Sequence, residues 1–257
     1  MNPFAKLNII EYREGAFSEK ADRVASEKKL RIFSDGKEIL SLLCTPTMVK
    51  ELIVGFALSE GLLKNGTQRN WCSERIEIFW KDDEIEVHLP IEAPNAIATI
   101  TSGCAKGIIF ISDEKLPLIQ SGIKVSADAI IGLYKEFQKK SELFNATGGV
   151  HSAALCSEKE IIIFTEDIGR HNAVDKIIGY AFLENISMQD KILLLSGRLS
   201  SEIVLKAIKA QVPVLVSRAA PTDRAVDTAK EFQITMIGFL RGQRLNIYSS
   251  PERITEK

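Results

Sequence analysis

Residues 191–217 read KILLLSGRLSSEIVLKAIKAQVPVLVS. Two short apolar runs, ILLL and VPVLV, flank SSEIVLKAIKAQ, which reads as a helix. A strand, a helix and a second strand in so few residues make a crossover unit that joins parallel strands. Runs as uniformly apolar as these belong to a sheet buried on both faces. The pattern continues in both directions. PTDRAVDTAKEF (221–232) reads as a helix and ITMIGFL (234–240) as a strand, while RLNIYS (244–249) adds an edge strand. Upstream, EIIIFT (160–165) reads as a buried strand. RHNAVDKIIGYAFLE (170–184) is then a helix with Val174, Ile177, Ile178, Ala181 and Phe182 on one face. The expectation is an α/β fold whose mostly parallel sheet is the middle of three layers.

The first half reads differently. KKLRIF (28–33) and EILSLL (38–43) form a hairpin around Asp35-Gly36. TPTMVKELIVGFALSEGLL (45–63) is a helix with Thr45 or Thr47 as cap, Pro46 near its start and Gly61 just past its end. Its buried face is Val49, Leu52, Ile53, Phe56 and Ala57. RIEIFW (75–80) and EIEVHL (84–89) alternate as a second hairpin. Pro117 and Ser121-Gly122 mark a break, after which VSADAIIGLYKEFQKK (125–140) reads as a helix capped by Ser126. Two domains are expected: residues 1–124, a smaller α+β unit, and residues 125–257, the α/β unit. No internal repeat or low-complexity segment interrupts them.

Composition narrows the function. The chain has 257 residues, 45% hydrophobic and 26% charged, as in soluble globular proteins. A formal net charge of −1 gives no global basic field for nucleic acid or an acidic membrane surface. No apolar run is long enough to span a bilayer, and MNPFAKLNIIEYREGAF lacks the order of a signal peptide. The expected compartment is the cytoplasm, with no nucleic-acid and no membrane partner. Cys44, Cys72, Cys104 and Cys156 are widely spaced and suggest no disulfide framework.

In sheets of this kind ligands bind where strands end and helices begin. Each such turn carries arginine: Arg170, Arg198, Arg218 with Arg224, and Arg241 with Arg244. Gly169, Gly197 and Gly242 lie in the same turns. A guanidinium fork beside glycine-exposed N–H groups suits phosphate, although loop arginines also serve simply to solvate a surface. Neither GxGxxG nor GxxxxGK[ST] occurs. In GRHNAVDK, His171 and Asp175 share a helix face. Either Glu166 and Asp167 merely favour the helix start, or Arg170 and His171 face a site and Asp175 orients one of them. In NATGGVHSAALC (145–156), His151 follows Gly148-Gly149 and reads equally as structural or functional. Cysteine and histidine spacing gives no zinc signature, so no metal is expected.

TSGCAKG (101–107) sets a thiol among small residues, with Lys106 to favour its thiolate. Cys104 is therefore the candidate reactive cysteine, against the alternative of a strand-end cysteine of no consequence.

The stretches EDIGRHNAVDKIIG, SGRLSSEIV, VPVLVSRAAPTDRAVDTAKEF and IGFLRGQRLNIYSSPERI resemble the FdhD family of formate dehydrogenase accessory proteins. LCTPTMVKELIVGFALSEGLL and TGGVHSAAL are similar to further segments of that family, so the likeness covers about residues 28–254. It implies a cytidine deaminase-like fold without the zinc chemistry. It implies a sulfurtransferase that takes sulfane sulfur from a cysteine desulfurase as a persulfide on Cys104. The sulfur then passes to the molybdenum of the bis(molybdopterin guanine dinucleotide) cofactor, the cargo that formate dehydrogenase needs sulfurated. The family's guanine-nucleotide segment matches Phe239, Leu240, Arg241, Gly242, Gln243 and Arg244. Arg170, His171, Arg198 and Arg218 are further candidates for the same pocket. Many family members carry C-x-x-C where this chain has Cys104-Ala105-Lys106-Gly107, so a local two-thiol relay is ruled out. Left open are a homodimer, a chaperone that holds cofactor or apoenzyme without chemistry, and a nucleotide hydrolase or deaminase.

Overall fold

A computed structural model describes residues 1–63, 75–90, 98–100, 108–110 and 116–256, the short pieces 98–100 and 108–110 by backbone alone. Cys72 and the whole of residues 101–107, with Cys104 and Lys106, lie outside the described residues.

The chain opens with a long hairpin, β1 (Phe4–Arg13) and β2 (Ala16–Ala25), turned at Glu14-Gly15. Its strands are largely exposed, so no alternation of burial announces them. The next hairpin, β3 (Lys28–Ser34) and β4 (Lys37–Cys44), turns where expected, with Asp35 and Gly36 both at positive φ. After α1 (Val49–Ser59) come β5 (Glu77–Trp80) and β6 (Glu84–Leu89), paired antiparallel as read. β3 and β6 join in parallel, giving a four-stranded sheet in the order β4-β3-β6-β5. Leu30, Ile32, Ile85 and Val87 of that sheet pack on Val49, Leu52, Ile53 and Phe56 of α1. Strands β7 (Ala98–Ile100) and β8 (Ile108–Phe110) pair antiparallel.

The second half begins with β9 (Val125–Ser126), α2 (Ala127–Lys139) and α3 (Glu142–Thr147). The Ser126 hydroxyl accepts from Ala129 N at 3.1 Å, the expected cap. Then follow β10 (His151–Cys156), β11 (Ile161–Asp167), α4 (Arg170–Leu183), β12 (Ile192–Leu195), α5 (Ser201–Lys209), β13 (Val214–Ser217), α6 (Asp223–Glu231), β14 (Thr235–Arg241) and β15 (Arg244–Ser249). A last short strand, β16 (Ile254–Thr255), pairs with β9.

The large sheet has the order β11-β10-β12-β13-β14-β15. β12, β13 and β14 run parallel through the crossover helices α5 and α6, as their sequence pattern requires. The sheet is nevertheless not mostly parallel. The pairings β11–β10, β10–β12 and β14–β15 are antiparallel. The reason is β10, whose HSAALC was not read as a strand. It joins β11 by a tight turn rather than a helical crossover, and so reverses direction. EIIIFT thereby becomes an edge strand.

Both faces of the sheet are covered. Leu193, Leu195 and Leu215 pack on Val174, Ile177, Ile203 and Ala207 of α4 and α5. Ile192, Leu194, Val214 and Val216 pack on Ile130, Leu133, Tyr134 and Phe137 of α2. Alternate residues of one apolar run thus feed two cores. Ile119 belongs to the first of these cores.

α1 is not capped by Thr45 or Thr47. Its N-cap is Met48, left-handed at φ 50°, with no side-chain cap. The threonines are spent on α4 instead. Thr45 N donates to Asp167 Oδ2 at 3.1 Å, Thr45 Oγ1 accepts from Ile168 N at 3.2 Å, and Thr47 Oγ1 accepts from Lys176 Nζ at 3.3 Å. Gly61 does follow the helix end, at φ 78°.

α1 crosses α4 at two glycines. A Cβ on Gly55 would lie 1.8 Å from the Asp175 carbonyl oxygen, and one on Gly179 would lie 1.9 Å from the Glu51 carbonyl oxygen. The backbones touch there, and no side chain fits between them. Gly55→Ala or Gly179→Ala is expected to cost about 3 kcal/mol or more, the upper range for overpacking a core. Gly132→Ala in α2, where a methyl meets nothing within 4 Å, should instead stabilise by about 0.5–1 kcal/mol. Urea unfolding of the three variants checks this, and equal effects at the three positions would contradict the crossing.

Candidate functional site

Three turns converge at the C-terminal ends of β12 and β13. Gly197, following β12, has no side chain because none would fit freely. A Cβ there would lie 3.3 Å from Cβ and Cδ of Arg170 and 3.4 Å from His151 Nδ1. The start of α4, the start of β10 and the end of β12 therefore meet at one point. Hydrogen bonds hold the meeting rigid. Ser196 Oγ accepts from Ser152 N at 2.9 Å and lies 3.5 Å from His151 Nδ1. Ser217 Oγ donates to Gly197 O at 2.7 Å. The Tyr134 hydroxyl, reaching up from α2, donates to Leu195 O at 2.9 Å and accepts from Arg218 N at 3.3 Å. The backbones of both strand ends are thus tied, and the side chains of Arg198 and Arg218 emerge exposed.

The turn into α4 is organised by Asp167. Its Oδ1 accepts from Gly169 N at 2.8 Å and from Asn172 Nδ2 at 2.9 Å, and its Oδ2 pairs with the buried Lys176 at 2.7 Å. Gly169, the helix N-cap, contributes no side chain. Glu166 accepts from the N–H groups of Leu143 and Phe144, both at 2.9 Å, and so fastens the start of α3.

Asp175 does not orient Arg170 or His171, which corrects the reading of their shared helix face. It turns inward and accepts from Lys206 Nζ at 2.8 and 3.0 Å and from Ser59 Oγ at 2.7 Å. Burial pushes its pKa up to about 6, partly offset by Lys206. The partner of His171 is Glu202 at the start of α5, with Nε2 and Oε2 3.1 Å apart but without hydrogen-bond alignment. Burial, Lys206 and Arg170 drive the His171 pKa down to about 3. His151 is lowered as well, by burial and then by Arg170. Both imidazoles are neutral at physiological pH among guanidinium groups.

A cleft of about 580 Å³ opens beside this junction. α2 and α3 form one side, and the ends of β10, β12 and β13 form the other. Phe137, Phe144, Asn145, His151, Ser196 and Arg218 are among the residues that line it. Of the arginines read as one rim, Arg218 lines the cleft and Arg170 lies against Gly197 behind His151. Arg224 is exposed on the first turn of α6.

Residues 239–244 occupy the β14–β15 hairpin. Phe239 is left-handed at φ 50° and donates its N–H to Ala219 O at 3.2 Å. The Arg241 guanidinium lies 5.7 Å from the centre of the Phe239 ring. Leu240 is buried, 4% exposed, and packs in the core under α2. Arg241, Gly242, Gln243 and Arg244 are exposed, and Gly242 takes the positive φ that the two-residue turn demands. None of these six is among the described residues lining the cleft.

Of the cysteines, Cys44 and Cys156 are fully buried and free. Burial pushes both thiols up to about 12. Residue roles that the linear sequence hid are those of Tyr134, Asp167 and Glu202. Only GRLSSE, with its acid just inside a helix start, offered a signal for Glu202.

The family model described as the FdhD/NarQ family matches residues 25–255. A sulfur carrier protein FdhD from Bacillus pumilus (strain SAFR-032) is 42% identical over 266 residues, covering 100% of both chains. The protein of that name from Bacillus subtilis (strain 168) is 36% identical and covers 98% of each. Among solved structures, a formate dehydrogenase accessory protein from Desulfotalea psychrophila matches with a TM-score of 0.77 at 26% identity, over 99% of this chain and 100% of that one.

The neutral, half-buried imidazoles make a pH prediction. A histidine whose folded pKa lies below its unfolded value near 6.5 contributes stability that is complete above that pH and is lost as pH falls toward the folded value. For His171 the window runs from about 6.5 down to about 3. Its ring-proton NMR resonance should not titrate between pH 8 and pH 5. Titration near 6.5 would show that the ring is solvated and that the junction is open.

Proposed function

The chain belongs to the FdhD/NarQ family, and on that premise we propose that it is a cytoplasmic sulfur carrier whose carrying thiol is Cys104. The observation that supports this most is the state of the other thiols. A sulfur carrier needs an accessible thiolate. Cys44 and Cys156 are sealed in apolar cores with thiols near 12. Of the four cysteines, this leaves Cys72 and Cys104. Cys104 alone has glycines and a lysine about it, and Lys106 would favour its thiolate.

In this reading the Cys104 thiolate attacks the outer sulfur of a cysteine desulfurase persulfide. The donor's sulfur–sulfur bond breaks, the donor leaves as a thiolate, and a new sulfur–sulfur bond forms on Cys104. No net electrons are gained or lost. On delivery, that bond breaks and Cys104 leaves as thiolate. The two electrons that turn sulfane sulfur into sulfide come from the reduced molybdenum of the bis(molybdopterin guanine dinucleotide) cargo. The protein contributes docking and positioning. Residues 1–124 present the sulfur, and residues 125–257 bind the cargo destined for formate dehydrogenase. Phe239, Leu240, Arg241, Gly242, Gln243 and Arg244 take its guanine-nucleotide end. The exposed Arg241 and Arg244 suit phosphate, and the buried Leu240 holds the hairpin in place. The proposal includes a cytidine deaminase-like layering of the fold, which superposition on a deaminase would test.

Incubation with a desulfurase and cysteine, followed by peptide mass spectrometry, should find one added sulfur on Cys104 and none on Cys44 or Cys156. Cys104→Ala should abolish formate dehydrogenase activity while the cofactor is still inserted. Added sulfur on Cys72 alone, or full activity with the alanine variant, would remove the carrier role from Cys104; the latter outcome is what a chaperone predicts.

Arg241→Ala with Arg244→Ala should weaken GDP binding by about tenfold in calorimetry, the loss of charge-assisted contacts to phosphate. Unchanged affinity would take the nucleotide away from the hairpin.

A further inference from the structure

The arm formed by β1 and β2 has no role in the account so far, and the match to the FdhD/NarQ family begins only at residue 25, where the arm ends. We propose that the outer edge of β1 is a docking edge for β1 of a second copy of this chain, the two strands pairing antiparallel about a two-fold axis at Asn8. The proposal stands apart from the sulfur-carrier reading.

A two-stranded ribbon is marginal by itself in water, and a further strand or a packed neighbour is what secures it. The arm is anchored at its base. Ser26 N donates to Pro3 O at 2.8 Å, the Arg23 guanidinium lies 4.9 Å from the centre of the Phe4 ring, and α3 lies against β2. Farther out its apolar side chains stand in solvent: Leu7 is 49% exposed, Ile10 70% and Phe17 76%. The outer edge is open as well, since among the described residues β1 pairs with β2 alone. Native proteins blunt a free edge with a charge, a proline or a bulge. β1 has none of these over Leu7-Asn8-Ile9-Ile10, and its register with β2 runs unbroken from Phe4 to Arg13. Such an edge is a template for another strand. A ribbon that needs a neighbour at all times is served by another copy of the chain rather than by a partner that comes and goes.

The residues of β1 complement one another when the strand is laid antiparallel on itself, as a two-fold contact requires. With Asn8 opposite Asn8, Leu7 faces Ile9 of the second copy, Ile9 faces its Leu7, and Phe4 faces its Tyr12. Apolar cross-strand pairs of this kind stabilise a sheet, whereas like charges opposite one another destabilise it. Here no like charges meet, because Lys6 falls opposite Ile10 and Glu11 opposite Ala5. Other registers are poorer. Centring on Lys6 or on Glu11 opposes like charges, and centring on Ile9 sets Leu7 against Glu11. Within the ribbon itself Lys6 and Arg23 are opposed cations, and Ile10 is opposite Glu19. The row through Arg23 and Lys6 therefore continues through Ile10 to Glu19 of the second copy, which brings an acid toward the two cations. Across the whole arm Lys6, Arg13, Lys20 and Arg23 are matched by Glu11, Glu14, Glu19 and Asp22, so no basic excess recruits an anionic membrane.

Cross-linking tests the register in the full-length chain carrying Cys72→Ser and Cys104→Ser, which leaves Cys44 and Cys156, both buried, as the native thiols. Asn8→Cys should then give a disulfide-linked dimer under mild oxidation. Opposite residues of an antiparallel pair have Cα atoms about 4.5–5.5 Å apart, within disulfide reach. Lys6→Cys and Ile10→Cys should each fail alone, because each lies about 14 Å from its own counterpart, too far to bridge. Mixed together, those two proteins should link to each other. Sedimentation velocity without oxidant supplies an independent readout. Leu7→Lys with Ile9→Lys removes the apolar pairs and sets ammonium groups against one another along the edge, and should weaken self-association by about tenfold or more. A chain that stays monomeric at every concentration tested, equal cross-linking at positions 6, 8 and 10, or association untouched by the lysine substitutions would overturn the docking edge. Persulfide formation on Cys104, or its failure, bears on none of these results.

Discussion

Everything near the strand ends depends on one buried ammonium group. Lys206 reaches from α5 into the angle between α1 and α4, where Nζ meets Asp175, Glu60 at 2.8 Å and Ser59 Oγ at 2.6 Å. Lysine and both acids are almost fully enclosed. Two carboxylates raise the Lys206 pKa against the opposing effect of burial, so the lysine is a cation. Such a cluster contributes little net stability, because removing charges from water costs about what their attraction returns. Breaking it is another matter, since loss of the lysine would strand two acids in the core at a cost of about 3–5 kcal/mol. The cluster therefore specifies one packing of α1 on α4 rather than deepening the fold. The bare Gly55–Gly179 contact is the steric half of the same requirement.

From that crossing the site follows. With α1 seated, Thr45 and Thr47 fall beside Asp167 and Lys176. Asp167 can then hold Gly169 and Asn172 and set where Arg170 and His171 begin their helix. Lys206 also acts on the site through its field, being the second cause, after burial, of the low His171 pKa. The N-terminal α+β part is thus a structural member of the strand-end junction. Exposed guanidinium groups and neutral imidazoles meet at that junction, beside a cleft with no carboxylate among its described lining residues.

Much of this was legible in linear sequence, and the limits are physical. The faces of α1 and α4, the presence of α2 and the crossovers around β12, β13 and β14 were readable because periodic burial leaves a periodic code. β10 was not, since HSAALC is short, rich in small residues and follows two glycines. Missing it turned a mixed sheet into a mostly parallel one. The helical spacing of His171 and Asp175 was real, but spacing names a shared face and not a partner. The partner of Asp175 lies 31 residues away on another helix. The arginines formed one rim on paper, whereas Arg241 and Arg244 sit on the β14–β15 hairpin and are not among the described residues lining the cleft that Arg218 borders. Threonine before a helix suggested a cap, yet a tertiary demand from α4 claimed both threonines.

The central claim is that sulfur rides on Cys104 and leaves for the cargo. A single-turnover transfer tests it most directly. The protein would be charged with radiolabelled sulfur by a desulfurase, separated from the donor, and mixed with reduced molybdenum cofactor. The account predicts that label leaves Cys104 and appears on the cofactor in equal amount, and that a Cys104→Ala protein delivers none. Label that stays on the protein, or that reaches the cofactor equally well from the alanine variant, would contradict it.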